Sequence, residues 1–319
     1  RIMFTKNCLK VICGALFVFL LMRLYYAMTD DFRLQNISYS GPALSVGISS
    51  DADLTLLQPI FAQRFFYLGK GAQSYAFASE DGKFVVKFFK FKHAKPNWLM
   101  QILPPFAPFA EWKKRYLEKK QHKFASVFRG YTLAYQKNKE RSGLLYLQLQ
   151  PNPHLPLQAI LIDKIGREQL VDLKNTYFLL QKKGIPLREH LHTLLNREQV
   201  SDTKKSLQAL LSMYIAEYTE GIYDRDHGLL QNTGFLGQIP FHLDVGKMVE
   251  KPDIKFQDIY KQDLEWVIWK INAWIQKHYP LYAQEIGNFL SEQYLFWIHE
   301  PLPLPPPNET LWKARARRE

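Results

Sequence analysis

From Val11 to Met22 the chain is apolar without a break, and "VICGALFVFLLMRLYYAM" (11–28) is just long enough for one membrane-crossing helix. Lys6 and Lys10 precede it, Tyr25 and Tyr26 lie near its far end, and Asp30 and Asp31 follow. Arg23 has to snorkel toward an interface. "RLYYAMTDDF" offers no small-residue cleavage site, so residues 1–30 read as a retained single-pass anchor in preference to a cleaved signal. Residues 31–58 are polar, with Gly, Ser and Pro interspersed, and read as a linker.

Strand-like runs replace the apolar block from residue 59. "FFYLGKG", "SYAFASE" and "KFVVKFF" predict three short strands, with Asp81-Gly82 as a tight turn between the last two. After a proline-broken, aromatic stretch, residues 111–127 have helical spacing without a breaker. Further strand-like runs fall at 144–149, 159–163 and 176–181. Beyond Gly184 helical spacing dominates: 187–195, 198–219, and two segments between 257 and 297. They are interrupted by loop and short strands in "GIYDRDHGLLQNTGFLGQIPFHLDVGKM". A sheet-rich half before a helix-rich half argues an α+β chain of two lobes with a cleft between them. The expected division is an N-lobe at 59–181, a C-lobe at 182–300 and a Pro-rich basic tail at 301–319.

Composition narrows this picture only a little. At 319 residues and 47% hydrophobic the chain can bury a substantial core. Its formal charge of +12 favours an anionic partner: a phosphorylated ligand, an acidic membrane surface or nucleic acid. Cys8 and Cys13 both lie in the N-terminal apolar region, which excludes a disulfide framework or a thiolate metal site from the remainder.

Candidate chemistry begins at "YLGKGAQSYAFASEDGKFVVKFF" (67–89). Glycines at 69 and 71 let backbone amides approach phosphate oxygens that a side chain would keep away. Strand alternation puts Val85 and Lys87 on one face and Phe84, Val86 and Phe88 on the other. A lysine among such hydrophobes calls for an anion, or else snorkels to water.

"LGKGAQSYAF" and "FVVK" together resemble the protein-kinase-like superfamily, in which a Gly-rich loop covers ATP phosphates and a strand lysine grips them. Gly69 and Gly71 match the first two glycines of G-x-G-x-x-G-x-V, Ser74 stands for the third and Ala76 for the valine. Lys87 matches the lysine of V-A-I-K. The resemblance implies a glutamate partner on the following helix, Glu118 or alternatively Glu111. "YDRDHGLLQN" resembles H-R-D-x-x-x-x-N, with Asp224 replacing His, Arg225 matching Arg, and Asp226 in the place of the catalytic Asp. "FHLDVGKM" resembles the D-F-G segment, with Asp244-Val245-Gly246 as the triplet. In that family one carboxylate orients the acceptor hydroxyl, and a carboxylate and an amide hold Mg2+. The amide is Asn232 by a one-residue bulge, or Gln231 by strict spacing.

The resemblance covers about 60–250, without an A-P-E motif afterwards. It implies a bilobal protein-kinase-like fold, an antiparallel-sheet N-lobe and a helical C-lobe, preceded by a single hydrophobic helix. In outline the chain is nearer to small-molecule, sugar or lipopolysaccharide kinases of bacteria, with ATP and Mg2+ as cofactors and an open choice of acceptor. The alternative is a pseudokinase, a membrane-anchored module that binds a nucleotide or partner. Use of ATP favours a cytoplasmic domain, whereas Lys6 and Lys10 favour an external one.

Other features read as structural. His190 and His192 fall on different helix faces, which disfavours a metal pair. "KKRYLEKKQHK" reads as a solvated helix face in preference to a nucleic-acid stripe. "PLPLPPP" reads as a spacer, and the sequons at Asn36 and Asn308 are too short to carry weight.

Overall fold

The computed structural model describes residues 2–39, 49–91, 107–226 and 228–305. Its first element is helix α1 (Ile2–Thr29). The stretch Ile12–Thr29 is long and apolar enough to cross a membrane and is only 6% buried. Phe17, Phe19 and Leu20 each lie more than half exposed. A helix apolar on every face suits lipid better than water.

The chain divides into two compact units. The described part of the first comprises 2–39, 49–91, 107–120 and 148–180; that of the second comprises 121–147, 181–226 and 228–305. In the first unit the meander forms as the pattern predicts: β1 (Arg64–Lys70), β2 (Ser74–Ser79) and β3 (Phe84–Phe89). Successive strands pair antiparallel. Gly82 takes φ +70° in the turn between β2 and β3, a conformation that glycine adopts without strain. β5 (Gln158–Ile162) lies parallel to β1, and β6 (Glu168–Asp172) pairs antiparallel with β5. With β7 (Phe178–Lys182) at the other side, the order is β7-β3-β2-β1-β5-β6. β4 (Leu144–Gln148) is the remaining strand of this region of sequence.

Aromatic packing holds the first unit together. Phe77 and Phe88 lie 6.1 Å apart between ring centres, Phe88 and Phe178 5.9 Å, and all three are fully buried. Residues read as a linker supply part of this core. Phe32 packs on Tyr75 and Phe77 at 5.2 and 4.9 Å, and Ile37, in the short helix α2 (Leu34–Ile37), is buried. Helix α3 (Leu54–Phe61) follows, capped by Asp53, whose carboxylate accepts from the amides of Thr55 and Leu56.

The helix expected at 111–127 is longer: α4 spans Ala107–Lys137. A short helix α5 (Lys139–Ser142) follows it. The second unit is built on α6 (Leu187–Asn196), α7 (Val200–Glu220), α9 (Gln257–His278) and α10 (Pro280–Ile298). Leu207, Leu211 and Tyr218 of α7 share one core with Leu264, Ile268 and Ile271 of α9 and with Ile286 and Leu290 of α10. Between α7 and α9 lie β9 (Ile222–Asp224), α8 (Leu229–Asn232), β10 (Thr233–Leu236), β11 (Ile239–His242) and β12 (Met248–Glu250). β10 and β11 form a hairpin joined by β8 (Ile185–Pro186), while β12 returns to pair with β9. The mixed α+β class, the antiparallel-rich sheet, the helical C-terminal part and the single N-terminal apolar helix all agree with the sequence reading.

Candidate functional site

In the first unit, register places three of the candidate residues in one cross-strand row. Gly69 lies opposite Ala76, and Ala76 lies opposite Lys87. Directly opposed residues of paired strands project to the same face. Lys87, half-buried, therefore shares its face with a methyl group and then with no side chain at all. A bulge at Leu68 shifts the register just before Gly69. Gly71 closes the β1–β2 loop, its amide donating to the Ser74 carbonyl at 2.9 Å.

Neither glycine is demanded by the fold. A Cβ at 69 would meet nothing within 4 Å, and one at 71 would make only ordinary contacts with Ser74, at 3.8 and 3.9 Å. Ser74 is half-buried beside the loop. Both helix glutamates, Glu118 and Glu111, are exposed on α4, and Glu111 lies 3.5 Å from Arg115.

In the second unit the pairing of β9 with β12 joins the two candidate carboxylate segments, since Asp224 is opposite Met248. The turn after β9 is locked by Asp224, whose Oδ1 accepts from the amide of Asp226 at 2.8 Å. Asp226 is half-buried, and its carboxylate lies 3.1 Å from Lys247 Nζ. The Asn232 carbonyl accepts from the amides of Leu243 and Asp244 at 2.6 and 3.4 Å, which ties the end of α8 to the Asp-Val-Gly turn. The Asn232 side chain folds over Gly228, where an added Cβ would come within 2.6 Å of its amide nitrogen. Gln231 is exposed. Strand pairing and backbone hydrogen bonds thus link the segments that carry Asp226, Asn232 and Asp244.

Side chains that sequence reasoning passed over pack around these segments. Tyr131 on α4 donates its hydroxyl to Asp244 Oδ1 at 2.9 Å, and the Gly246 amide donates to the same oxygen at 3.1 Å. Burial, then the Asp244 charge, pushes the Tyr131 phenol well above its usual range, so it stays a donor. One residue earlier, a Cβ on Gly130 would fall 2.8 Å from the backbone of Val245 and Gly246. A glycine inside an otherwise helical pattern was the available signal for this close approach. Behind the turn, buried His242 donates from Nε2 to Glu217 at 2.9 Å, and Asn138 donates to the same carboxylate at 2.6 Å. His242 Nδ1 is 3.8 Å from Asp224 Oδ2.

Asp244 and Asn232 offer a carboxylate and an amide oxygen, hard donors suited to Mg2+. Among the described residues no three His, Cys, Asp or Glu side chains gather into a cage for a metal. A donor pair of this kind fits an ion that keeps waters and phosphate oxygens in its shell. The two histidines set aside earlier are structural: His190 bonds Ser206 and stacks on Phe235, and His192 bonds Tyr279.

No protein-family model matches the chain, and no curated protein matches it either. Among solved structures, WbdD in co-crystals with the kinase inhibitor LY294002 is similar over 78% of this chain and 49% of its own, at 15% identity and a TM-score of 0.36. A structure of the bifunctional kinase-methyltransferase WbdD is similar over 79% and 50%, at 16% identity and a TM-score of 0.33. The Rv3197–erythromycin complex from Mycobacterium tuberculosis is similar over 61% and 48%, at 11% identity and a TM-score of 0.32. The chain spans about half the length of these structures.

Proposed function

We propose that this chain is a kinase-like phosphotransferase, held at a membrane by α1, that uses ATP and magnesium to phosphorylate a hydroxyl-bearing acceptor. The observation that carries the reading is the linkage of the segments bearing Asp226, Asn232 and Asp244 by strand pairing and backbone hydrogen bonds. Two separated motifs, 223–232 and 241–248, supply the residue types phosphoryl transfer needs, and backbone hydrogen bonds link them. Asp244 and Asn232 would hold Mg2+, which supplies charge neutralisation of phosphate oxygens. Asp226 would orient the acceptor hydroxyl and take its proton. In the first unit, the open row from Gly69 to Lys87 suits phosphate, with Lys87 as its cation and backbone amides near Gly71 as donors. Ser74 lines that loop, and Glu118 is the proposed partner of Lys87.

A second reading rests on the engagement of both carboxylates. Asp226 is paired with Lys247, and Asp244 already accepts from Tyr131 and Gly246. A pseudokinase that binds nucleotide or a partner without transfer fits those contacts.

Melting of the full chain in neutral detergent separates the readings. At saturating ATP and Mg2+, about 100 times the dissociation constant, a ligand adds roughly 2.7 kcal/mol, enough to raise the melting temperature by about 5–10 °C. Lys87→Ala and Asp244→Ala should abolish the shift. No shift with either ligand sinks both nucleotide readings; a shift without conversion of ATP to ADP favours the pseudokinase. Phosphate transfer that survives Asp226→Asn unchanged removes that residue's assigned role alone.

A further inference from the structure

The end of α1 is built into the first unit. Thr29 is 1% exposed and its hydroxyl donates to the Tyr25 carbonyl at 2.8 Å. Lys164, in the turn between β5 and β6, donates to the Ala27 carbonyl at 3.2 Å and pairs with Asp30 at 3.1 Å. Lys70 pairs with the same Asp30 at 2.8 Å, and Tyr67 donates to it at 3.1 Å. These bonds hold the Asp30 carboxyl down at about 2 against the opposing effect of burial. Removal of α1 at this point would strip contacts from the folded unit, which supports its retention.

Beside this junction lies a cavity of about 550 Å3, lined by Tyr25, Phe32, Arg33, Gln35, Arg167 and Gln169. Its two guanidinium groups are oriented by neighbours. Arg33 lies over the rings of Tyr25 and Tyr26, 5.5 and 5.2 Å from their centres, with Nε 3.6 Å from Asp31. Arg167 is held by buried Asp163 through Nε and Nη2, each at 2.9 Å. Asp163 itself accepts from the amides of Ile165 and Arg167 and from Gln169. The Arg33 and Arg167 side chains are still 42% and 49% exposed, and a guanidinium carries five N–H donors. Four cations, Lys70, Lys164, Arg33 and Arg167, face three carboxylates, Asp30, Asp31 and Asp163. Anion selectivity here comes from two oriented forks more than from net charge.

The place of the cavity along α1 specifies the anion. Ile12–Thr29 spans 18 residues, or ~27 Å of helix, close to the ~30 Å thickness of a bilayer core. Tyr25, Tyr26 and the cavity therefore lie at headgroup level when α1 crosses a membrane, the depth at which tyrosine rings prefer to sit.

We propose that this cavity holds the phosphodiester headgroup of an anionic phospholipid, with Arg33 and Arg167 on the phosphate oxygens and Gln35 and Gln169 as additional hydrogen-bond partners. The inference rests on α1 being a membrane anchor and is independent of phosphoryl transfer.

The test uses the full chain in phosphatidylcholine nanodiscs, with and without a minor fraction of phosphatidylglycerol, followed by native mass spectrometry of retained lipid. Phosphatidylglycerol should be retained in preference, and Arg33→Gln should weaken that preference roughly tenfold, the scale of one lost charge-assisted contact. Lys10→Gln, at the opposite end of Ile12–Thr29, should leave it unchanged. Arg33→Gln is the decisive variant because the ion pair of Arg33 with Asp31 is long, at 3.6 Å, so its loss should leave the fold intact, which melting in detergent checks. Equal retention of the two lipids overturns the proposal, as does a preference that survives Arg33→Gln combined with Arg167→Gln. Inorganic phosphate that displaces phosphatidylglycerol and raises the melt by itself overturns the lipid assignment in favour of a free-anion site. Failure to enter neutral nanodiscs at all overturns the anchor, and the headgroup site with it.

Discussion

Asp224 occupies the histidine position of the motif it resembles, and a histidine, His242, lies behind it instead. Their contact is buried, with His242 fully enclosed and Glu217 on its other nitrogen. Burial pushes the Asp224 carboxyl up to about 7, only partly offset by His242 and the Asp226 amide. Burial pulls the His242 imidazole down, but the Glu217 charge and hydrogen bond outweigh it, with Asp224 adding to the upward shift. Both groups therefore bind protons more tightly folded than unfolded. Such groups stabilise the fold below their unfolded values, and the contribution is lost as pH rises through the folded ones. The melting temperature of the chain should fall from pH 5.5 to pH 8, across the window between the ordinary carboxylate value and about 7 for Asp224. Asp224→Asn keeps the acceptor for the Asp226 amide and should flatten that slope and raise the melt at pH 8. A wild-type melt that is level over this range, or an unchanged slope in the variant, would refute the argument. The sequence displayed Asp224 as a departure from a pattern. It did not display the compensating His242, because no spacing rule links strand β11 to the end of β9.

At the scale of elements, two glycines of similar appearance in the sequence have opposite meanings. Gly130 sits in α4 where a Cβ would strike the backbone of Val245 and Gly246 at 2.8 Å, and backbone cannot step aside as a side chain does. Gly130→Ala should cost about 1–3 kcal/mol, as overpacking does, and should disturb Asp244 through the neighbouring Tyr131. Urea unfolding would measure it. Gly69→Ala meets nothing within 4 Å. It should change stability by less than about 0.5 kcal/mol yet reduce the ATP-dependent melting shift, because the added methyl projects on the same face as Lys87. If Gly69→Ala leaves that shift intact, the row does not receive phosphate. The β1–β3 meander was legible because its aromatic and β-branched runs are bounded by an Asp-Gly turn. β6 was not, since "EQLVD" buries only Val171 and carries charge at both ends. The extension of α4 to Lys137 was also hidden, because a glycine normally weakens a helix and only a tertiary neighbour makes it the fitting residue.

For the whole molecule, α1 and the segment after it act together. Alkaline carbonate should leave the full chain in the membrane pellet, whereas polar replacements at Phe17, Leu20 and Leu21, all exposed on α1, should release it. Release of the unaltered chain would sink the anchor. Local pattern determined the N-terminal helix long and apolar enough to cross a membrane, the mixed α+β class, most strands and helices, and the candidate residue types, because each rests on spacing within a few residues. Tertiary structure decided the rest. It turned Phe32 and Ile37 from linker residues into core, since burial depends on what the sheet leaves uncovered. It set Gly69, Ala76 and Lys87 in one row, since register is fixed between strands and not along them. It linked Asn232 by backbone to Leu243 and Asp244, and surrounded the Asp244 turn with Tyr131 and Gly130 from a helix more than a hundred residues earlier. Those contacts join positions remote along the chain, and only folding brings them within hydrogen-bonding distance.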